Sequence, residues 1–324
     1  MTTQTNIANR ALQHCGAGRI AAGAFLTEDS KNASELRECY DLNRRYELRR
    51  NVWRFSTRKT ALRPLDSTSK PVTFGTWASG TTYVLNDVVV ASDGQIYISK
   101  TAGNLANNPV SGNFDKWDIY FGPVIATEHD EDTSYYAGEL VYVGATLYIS
   151  LVSGNEETPP SAGYWMTMTT APTLGAVSSF IYPIGSGPLG GSDAKRVYRL
   201  PNGYMRDAPQ DPKAGSFSYL GTPSNRVYRD WEFESDYLLT QDTGVILFRF
   251  VADVRDPNAM DPMFVEGFAC RLALSVCEAL TQSDSKLSNI ASMYNKFMGE
   301  ARTVNAIELG PVEQPLDDFI ACRG

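Results

Sequence analysis

Histidine is almost missing from this chain: His14 and His129 are the only two in 324 residues. A histidine-rich metal centre is thereby excluded, and a Ser-His-Asp arrangement would rest on one of two isolated imidazoles. His129 stands in Glu128-His129-Asp130-Glu131-Asp132, which reads as a solvated acidic turn. Cysteine is scarce too. Cys15, Cys39, Cys270, Cys277 and Cys322 are an odd set with no CxxC pair, so they read as reduced thiols filling a core. No apolar run approaches the ~20 residues of a membrane span, and Met1-Thr2-Thr3-Gln4 lacks the charged and apolar leader of a secretion signal. No membrane partner is expected. The stretch Gly185-Ser186-Gly187-Pro188-Leu189-Gly190-Gly191-Ser192 is not followed by Gly-Lys-Ser/Thr, so it reads as loop rather than phosphate cradle. Positive charge is outnumbered: 29 Lys and Arg face 37 Asp and Glu, for a net charge of −8. A molecule of that sign repels polyanions as a whole and does not wrap nucleic acid tightly. No acidic pair stands in the setting of a glycosidase. The expectation is a protein without catalytic residues, cofactor or metal.

What the chain does have is a pair of strongly patterned ends. Asp261-Pro262 opens a helix, with a carboxylate to accept from free amides and a proline where a missing N–H costs nothing. Phe264, Phe268, Leu272, Val276 and Leu280 then recur every four residues, with Leu274 and Ala279 widening the stripe. Ser283-Asp284 starts a second helix on which Leu287, Ile290, Tyr294, Phe297, Ala301 and Val304 share one face. The two form an antiparallel hairpin that needs further helices to cover it. The N-terminus supplies them. Asn6 to His14 carries Ile7, Ala11 and Leu12 on one face and ends at Gly16-Ala17-Gly18. Asp29 or Ser30 caps a longer helix to about Asn51, with Ala33, Leu36, Tyr40, Asn43 and Tyr46 on one face and Leu42 and Val52 beside it. Arg44, Arg45, Arg49, Arg50, Arg54, Arg58 and Lys59 fall on and just after this helix, either as a solvated face or as a contact surface for a partner protein or passing DNA.

The run Tyr40, Tyr46-Glu47-Leu48, Trp53-Arg54-Phe55 and Leu62 resembles the opening of the adaptor family of short-tailed bacteriophages, also called tail tubular protein A. The other end agrees: Tyr198-Arg199-Leu200-Pro201-Asn202-Gly203-Tyr204, Leu238-Leu239-Thr240, Val254-Arg255-Asp256-Pro257, Met260 to Ala269, Leu272-Ala273 and Ala279-Leu280-Thr281 are similar to that family's closing half. The resemblance covers about residues 4–64 and 193–308 as an ordered set of short motifs. It implies a structural virion protein, made in the host cytoplasm, that assembles as a ring joining the portal protein to the tail nozzle protein, with phage DNA passing through. Arg44, Arg45, Arg49, Arg50 and Arg54 are the candidate portal or DNA-channel contacts, together with the extended tail of residues 307–324.

Between these halves the composition turns to Thr, Ser, Gly, Asn, Val and aromatics, as short strands require. A repeat runs through it. Tyr83 returns as Tyr135, 52 residues on, and Asp87-Val88-Val89 as Glu139-Leu140-Val141; Tyr97-Ile98-Ser99 returns as Tyr148-Ile149-Ser150, 51 on, and Trp117 as Trp165. Each copy resembles the small carbohydrate-binding module of chitinases and related polysaccharide hydrolases, although copy two has no evident match to Trp77. The aromatic residues that such modules display just past the Tyr-x-Ser strand are replaced here by Lys100-Thr101 and Leu151-Val152. Trp77, Trp117 and Trp165 read either as the core of a small module or as a sugar platform. Tyr120, Tyr136 and Tyr164 are the candidate contacts for a host glycan or for a tail fibre or spike protein.

The expected fold class is therefore α+β. It comprises N-terminal helices (1–66), an inserted all-β tandem domain (72–170, copies at about 72–121 and 125–170), a β-section (174–260), a helical hairpin (261–306) and a tail (307–324). In the β-section, Val227 to Phe233, then Tyr237 to Thr240 and Val245 to Val251 as a hairpin, are the expected strands, and 174–225 reads as loops. The rival functional reading is a carbohydrate-binding protein whose tandem modules recognise host-surface polysaccharide.

Overall fold

The computed structural model describes residues 2–65, 69–168, 173–174, 196–208, 231–242 and 244–309. The chain divides into two compact units, residues 1–57 with 251–324 and residues 58–250. With four helices and several sheets, the fold is α+β.

The first unit is built from α1 (Gln4–Cys15), α2 (Lys31–Arg50), α3 (Pro262–Thr281) and α4 (Asp284–Leu309). Its boundaries follow from the caps. Thr3 accepts from the Asn6 N–H, Ser30 from Ala33, and Asp261 from both Met263 and Phe264, so the starts of α1, α2 and α3 each have a side chain for an otherwise unpaired donor. Gly16, at φ 69°, ends α1 in the left-handed conformation. The α3 stripe buries Phe264, Phe268, Leu272 and Val276, while Leu280 is half-buried and Ala279 exposed, because the last turn runs out past its neighbours. On α4 the buried series is Ile290, Tyr294, Met298 and Ala301. Met298, not Phe297, takes the interior position: it lies against Gly267 of α3, whose missing side chain leaves room for the thioether.

The aromatic residues of the two chain ends meet in this core. Tyr40 stands edge-on to Phe268 at 5.2 Å, Trp53 to Phe264 at 5.0 Å, and Phe55 lies 5.0 Å from Phe264. Such pairs add to the large apolar area each ring removes from water.

The second unit holds β1 (Thr57–Leu62), β2 (Lys70–Thr73), β3 (Thr82–Tyr83), β4 (Val88–Val90), β5 (Ile96–Ser99), β6 (Asn104–Leu105) and β7 (Trp117–Ile119). It continues with β8 (Ile125–Glu128), β9 (Leu140–Val143), β10 (Thr146–Ser150), β11 (Trp165–Thr167) and β12 (Thr173–Leu174). Then come β13 (Arg196–Arg199), β14 (Tyr204–Asp207), β15 (Glu232–Glu234), β16 (Tyr237–Thr240) and β17 (Ile246–Ala252). The chain passes between the units within β1 and β17. Among the described residues the sheets run β1-β17-β14, β11-β10-β9-β8-β2-β12, β13-β16-β15, β3-β6 and β4-β5-β7.

Two expectations for the β-section fail. β16 and β17 are not a hairpin: β16 pairs with β13 and β15, and β17 lies between β1 and β14. Between them, the Tyr198 hydroxyl lies 2.9 Å from the Asp242 carbonyl and 2.7 Å from that of Gly244. The stretch read as loops also contains β13 and β14, joined through Gly203 at φ 71°. Of the strand expected over Val227 to Phe233, only its end falls in β15, and residues 227–230 lie outside the described residues. The tail expected from 307 begins instead as helix, since α4 runs to Leu309, and residues 310–324 lie outside the described residues.

Residues 76–167 carry the same bonds twice. The Tyr83 hydroxyl accepts from the Ala78 N–H at 2.8 Å, and Tyr135 does so from Asp130 at 2.7 Å. Asn104 donates to Ser99 Oγ at 3.1 Å, as Asn155 does to Ser150 at 3.0 Å. The Trp117 indole donates to the Asn107 carbonyl and that of Trp165 to Glu157. Tyr83 meets Trp117 edge-on at 5.2 Å, and Tyr135 meets Trp165 at 5.3 Å. The change of spacing from 52 to 51 also has a cause: Val90 pairs with Ile96 in one copy and Tyr142 with Leu147 in the other, so the second hairpin is one residue shorter. Strand alternation divides the core: Val88, Leu140 and Leu147 enter a cluster shared by both copies, whereas Val89 and Val141 face their own copy's aromatic cluster.

Candidate functional site

The arginines of α2 do not share one environment. Arg44 is buried, 1% exposed, and is a structural residue rather than a contact. Its guanidinium pairs with Asp253 at 2.5 Å, donates to the Val254 carbonyl at 2.6 Å and reaches Asp41 at 3.1 Å. The helix turns Asn43, Arg44, Glu47 and Leu48 inward, whereas Leu42, at 74% exposed, and Tyr46, at 50%, point out. The inward polar residues are partnered through most of their atoms, although Arg44 Nη2 and Glu47 Oε2 are buried without a hydrogen bond, the latter 3.9 Å from Arg302 Nη2. Asn43 bonds Ser275 and accepts from Arg271, and the Glu47 carboxylate accepts from the Tyr294 hydroxyl at 2.6 Å. Arg50 donates to the same hydroxyl at 2.8 Å. Burial first, then the bond to Glu47, pushes the Tyr294 phenol up to about 12.

Arg45, Arg49 and Arg54 remain on the surface. Arg45 lies 3.5 Å from the outer oxygen of Asp253, and Arg54 lies 3.5 Å from Glu308 near the end of α4. Tyr46 completes this face with the Arg271 guanidinium 5.0 Å from its ring centre. Leu42, Arg45, Tyr46 and Arg49 thus form one strip of the exposed surface of α2, mixed apolar and basic, while Glu38, Asp41 and Arg50 are also exposed on the helix. Such a strip can meet an acidic, partly apolar protein surface.

The three candidate tyrosines also separate. Tyr120 is buried, edge-on to Phe74 at 5.5 Å with its hydroxyl donating to the Pro123 carbonyl, so it belongs to the shared core and is withdrawn as a contact. Tyr136 is half-buried and Tyr164 is 42% exposed. Trp117 and Trp165 are interior, and Trp77 is partly buried against the first aromatic cluster.

His129 is the residue that sequence reasoning missed. Its backbone N–H donates to the Tyr142 carbonyl as that of Trp77 does to Val90, and its ring stacks on Tyr135 at 5.5 Å and stands edge-on to Trp165 at 5.7 Å. It is the counterpart of Trp77 in copy two. The signal was the common 52-residue offset, obscured by four acidic neighbours.

Reactive groups are held in unreactive states. Cys270 lies 3.6 Å from His14, which in turn is 3.5 Å from Glu266. Burial nevertheless pushes the Cys270 thiol up to about 12, and Cys15 likewise, leaving neither as a ready thiolate. Among the described residues no group of three or more His, Cys, Asp and Glu is disposed to hold a metal ion, and no helix is long and apolar enough to cross a membrane. No protein-family model and no curated protein matches this chain.

Proposed function

We propose that the chain is a structural virion protein: an adaptor subunit that assembles as a ring between the portal and the tail nozzle of a short-tailed phage. The observation that carries this reading is the meeting of the adaptor-like motifs from both ends of the chain. Tyr40, Trp53 and Phe55 from one end pack on Phe264 and Phe268 from the other. Motifs some 200 residues apart in the sequence thus serve one helical unit, which is what a shared ancestral core requires. Within that unit the strip of Leu42, Arg45, Tyr46 and Arg49 is the portal-facing candidate. The interior tryptophans favour docking or decoration over sugar stacking for the β copies.

The test is co-sedimentation of the purified chain with the portal ring of the same phage, followed by electron microscopy of the heavy fraction. A ring stacked coaxially on the portal is the expected result. A chain that stays at the top of the gradient and is instead retained on host polysaccharide would overturn the adaptor reading.

A further inference from the structure

The two β copies bury the same carboxylate, but only one of them has a cation. In copy two, Glu139 is 1% exposed: one oxygen accepts from the Tyr136 N–H and the other takes Arg63 Nε at 2.5 Å. The Arg63 guanidinium also lies over the Tyr135 ring, 4.9 Å from its centre. Carboxylate and aromatic face together make a seat suited to a planar cation. In copy one the equivalent residues are Asp87 and Tyr83. Asp87 is 7% exposed and Oδ2 accepts from the Val84 N–H at 2.7 Å, repeating the bond of Glu139. Its other oxygen, Oδ1, is buried and has no hydrogen-bond partner.

A buried carboxylate oxygen without a partner is costly, and natural folds rarely leave one. Burial accordingly pushes the Asp87 carboxyl up, with the Val84 N–H opposing it. Val84 and Leu85, just before Asp87 in the chain, and Leu105, which pairs with Thr82, are each exposed. In copy two the arginine arrives in cis, followed by Pro64, which bridges Tyr198, and Leu65, which packs with Val197, Tyr237 and Leu239.

We infer that copy one is a docking site for an arginine presented by a second protein, in a segment that lays apolar residues on Val84, Leu85 and Leu105 while its guanidinium enters between Asp87 and Tyr83. Copy two carries the same site, filled by the chain's own Arg63. The occupant has to be a guanidinium because a bidentate, always-charged, weakly hydrated cation can follow a carboxylate into a desolvated seat. This inference does not depend on the adaptor reading and stands or falls separately from it.

The probe is the blocked tetrapeptide Leu-Arg-Pro-Leu, the sequence of residues 62–65, titrated into the ¹⁵N-labelled full chain. The readout is the five tryptophan indole N–H signals, assigned by single Trp→Phe variants. A saturable shift of the Trp77 and Trp117 signals is expected, with those of Trp53 and Trp231 unmoved. Asp87→Asn should weaken binding at least about tenfold, as should Ala in place of Arg in the peptide, whereas Asp87→Glu should retain it to within about threefold. Absence of a saturable shift in both the native chain and Asp87→Glu overturns the inference. So does equal binding of the Arg and Ala peptides, a comparison that stays decisive even if Asp87→Asn fails to fold.

Discussion

Removing one member of a buried ion pair strands the other charge away from water, and Arg44 and Asp253 are such a pair. Both are almost wholly enclosed, and Arg44 also holds the Val254 carbonyl. Arg44→Ala should therefore destabilise the helical unit by about 3–5 kcal/mol, while the mostly exposed Arg45→Ala should cost about 1 kcal/mol or less. Urea denaturation of both variants, followed by helical circular dichroism, checks the contrast; equal effects would refute it. A second residue-scale expectation concerns acid. Burial lowers the His14 pKa below its ordinary 6.5, so the unfolded chain takes up that proton first and stability falls as pH drops below about 6.5. The bond from Arg10 lowers the Glu266 pKa below 4.5, so its contribution is present above that value and is lost as pH falls further. Glu266→Gln should flatten the acid limb of a melting-temperature profile below about pH 4.5 and, because Glu266 also supports the charged form of His14, deepen the loss that begins near pH 6.5. Arg44 could not be told from Arg45 by local pattern: neighbouring arginines on a helix differ only in which face they take, and the partner that decides it lies 209 residues away.

Elements obey local rules where local rules apply. Asp261-Pro262, Ser30 and Gly16 were legible as helix ends because a cap is written within four residues of the bond it makes. The interior choice of Met298 over Phe297 was not, because it depends on the absent side chain of Gly267 on another helix. A Cβ there would come within 2.9 Å of Met298 Cε, the far end of a flexible chain. Gly267→Ala should consequently stay within about 1 kcal/mol of the parent, helix propensity offsetting the crowding. Gly267→Val, with two further carbons facing α4, should cost about 1–3 kcal/mol. In the β copies the buried amides are the comparable pins. Asn155 ties Ser150 Oγ to the Tyr164 carbonyl and accepts from the Glu157 N–H, and Asn155→Ala should cost about 1–3 kcal/mol by removing these three bonds and leaving that N–H without its acceptor. Its effect should appear in the Trp165 indole signal before that of Trp117, which belongs to the other copy, where Asn104 holds the equivalent place and bonds the Lys116 carbonyl. The failed β16–β17 hairpin teaches the same lesson from the other side: Asp242-Thr243-Gly244 has turn chemistry, yet Tyr198, more than forty residues upstream, takes its carbonyls.

At the scale of the whole molecule, charge bears on the proposed task. A ring through which a duplex must leave works against itself if its subunits hold phosphate, because each neutralised phosphate releases counterions and deepens binding. This chain has a net charge of −8, and two of its surface arginines lie beside carboxylates: Arg45 near Asp253 and Arg54 near Glu308. The basic cluster that reads in the sequence either as a solvated face or as a contact for a partner protein or passing DNA is thus partly neutralised within its own unit, and Arg44 is removed from it altogether. The subunit should therefore show no retention of a 30-base-pair duplex in a gel-shift assay at about 0.15 M salt and protein up to about 10 μM, the range in which non-specific DNA binders are retained. Arg54 offers the sharper arm. Glu308→Gln frees its guanidinium and should leave duplex retention undetectable if overall charge governs, whereas retention appearing in that variant would mean local basic patches dominate. Retention by the native chain with a steep salt dependence would contradict the view that its acidity lets DNA slip past, and would make the exposed arginines a grip on the duplex rather than a face for protein.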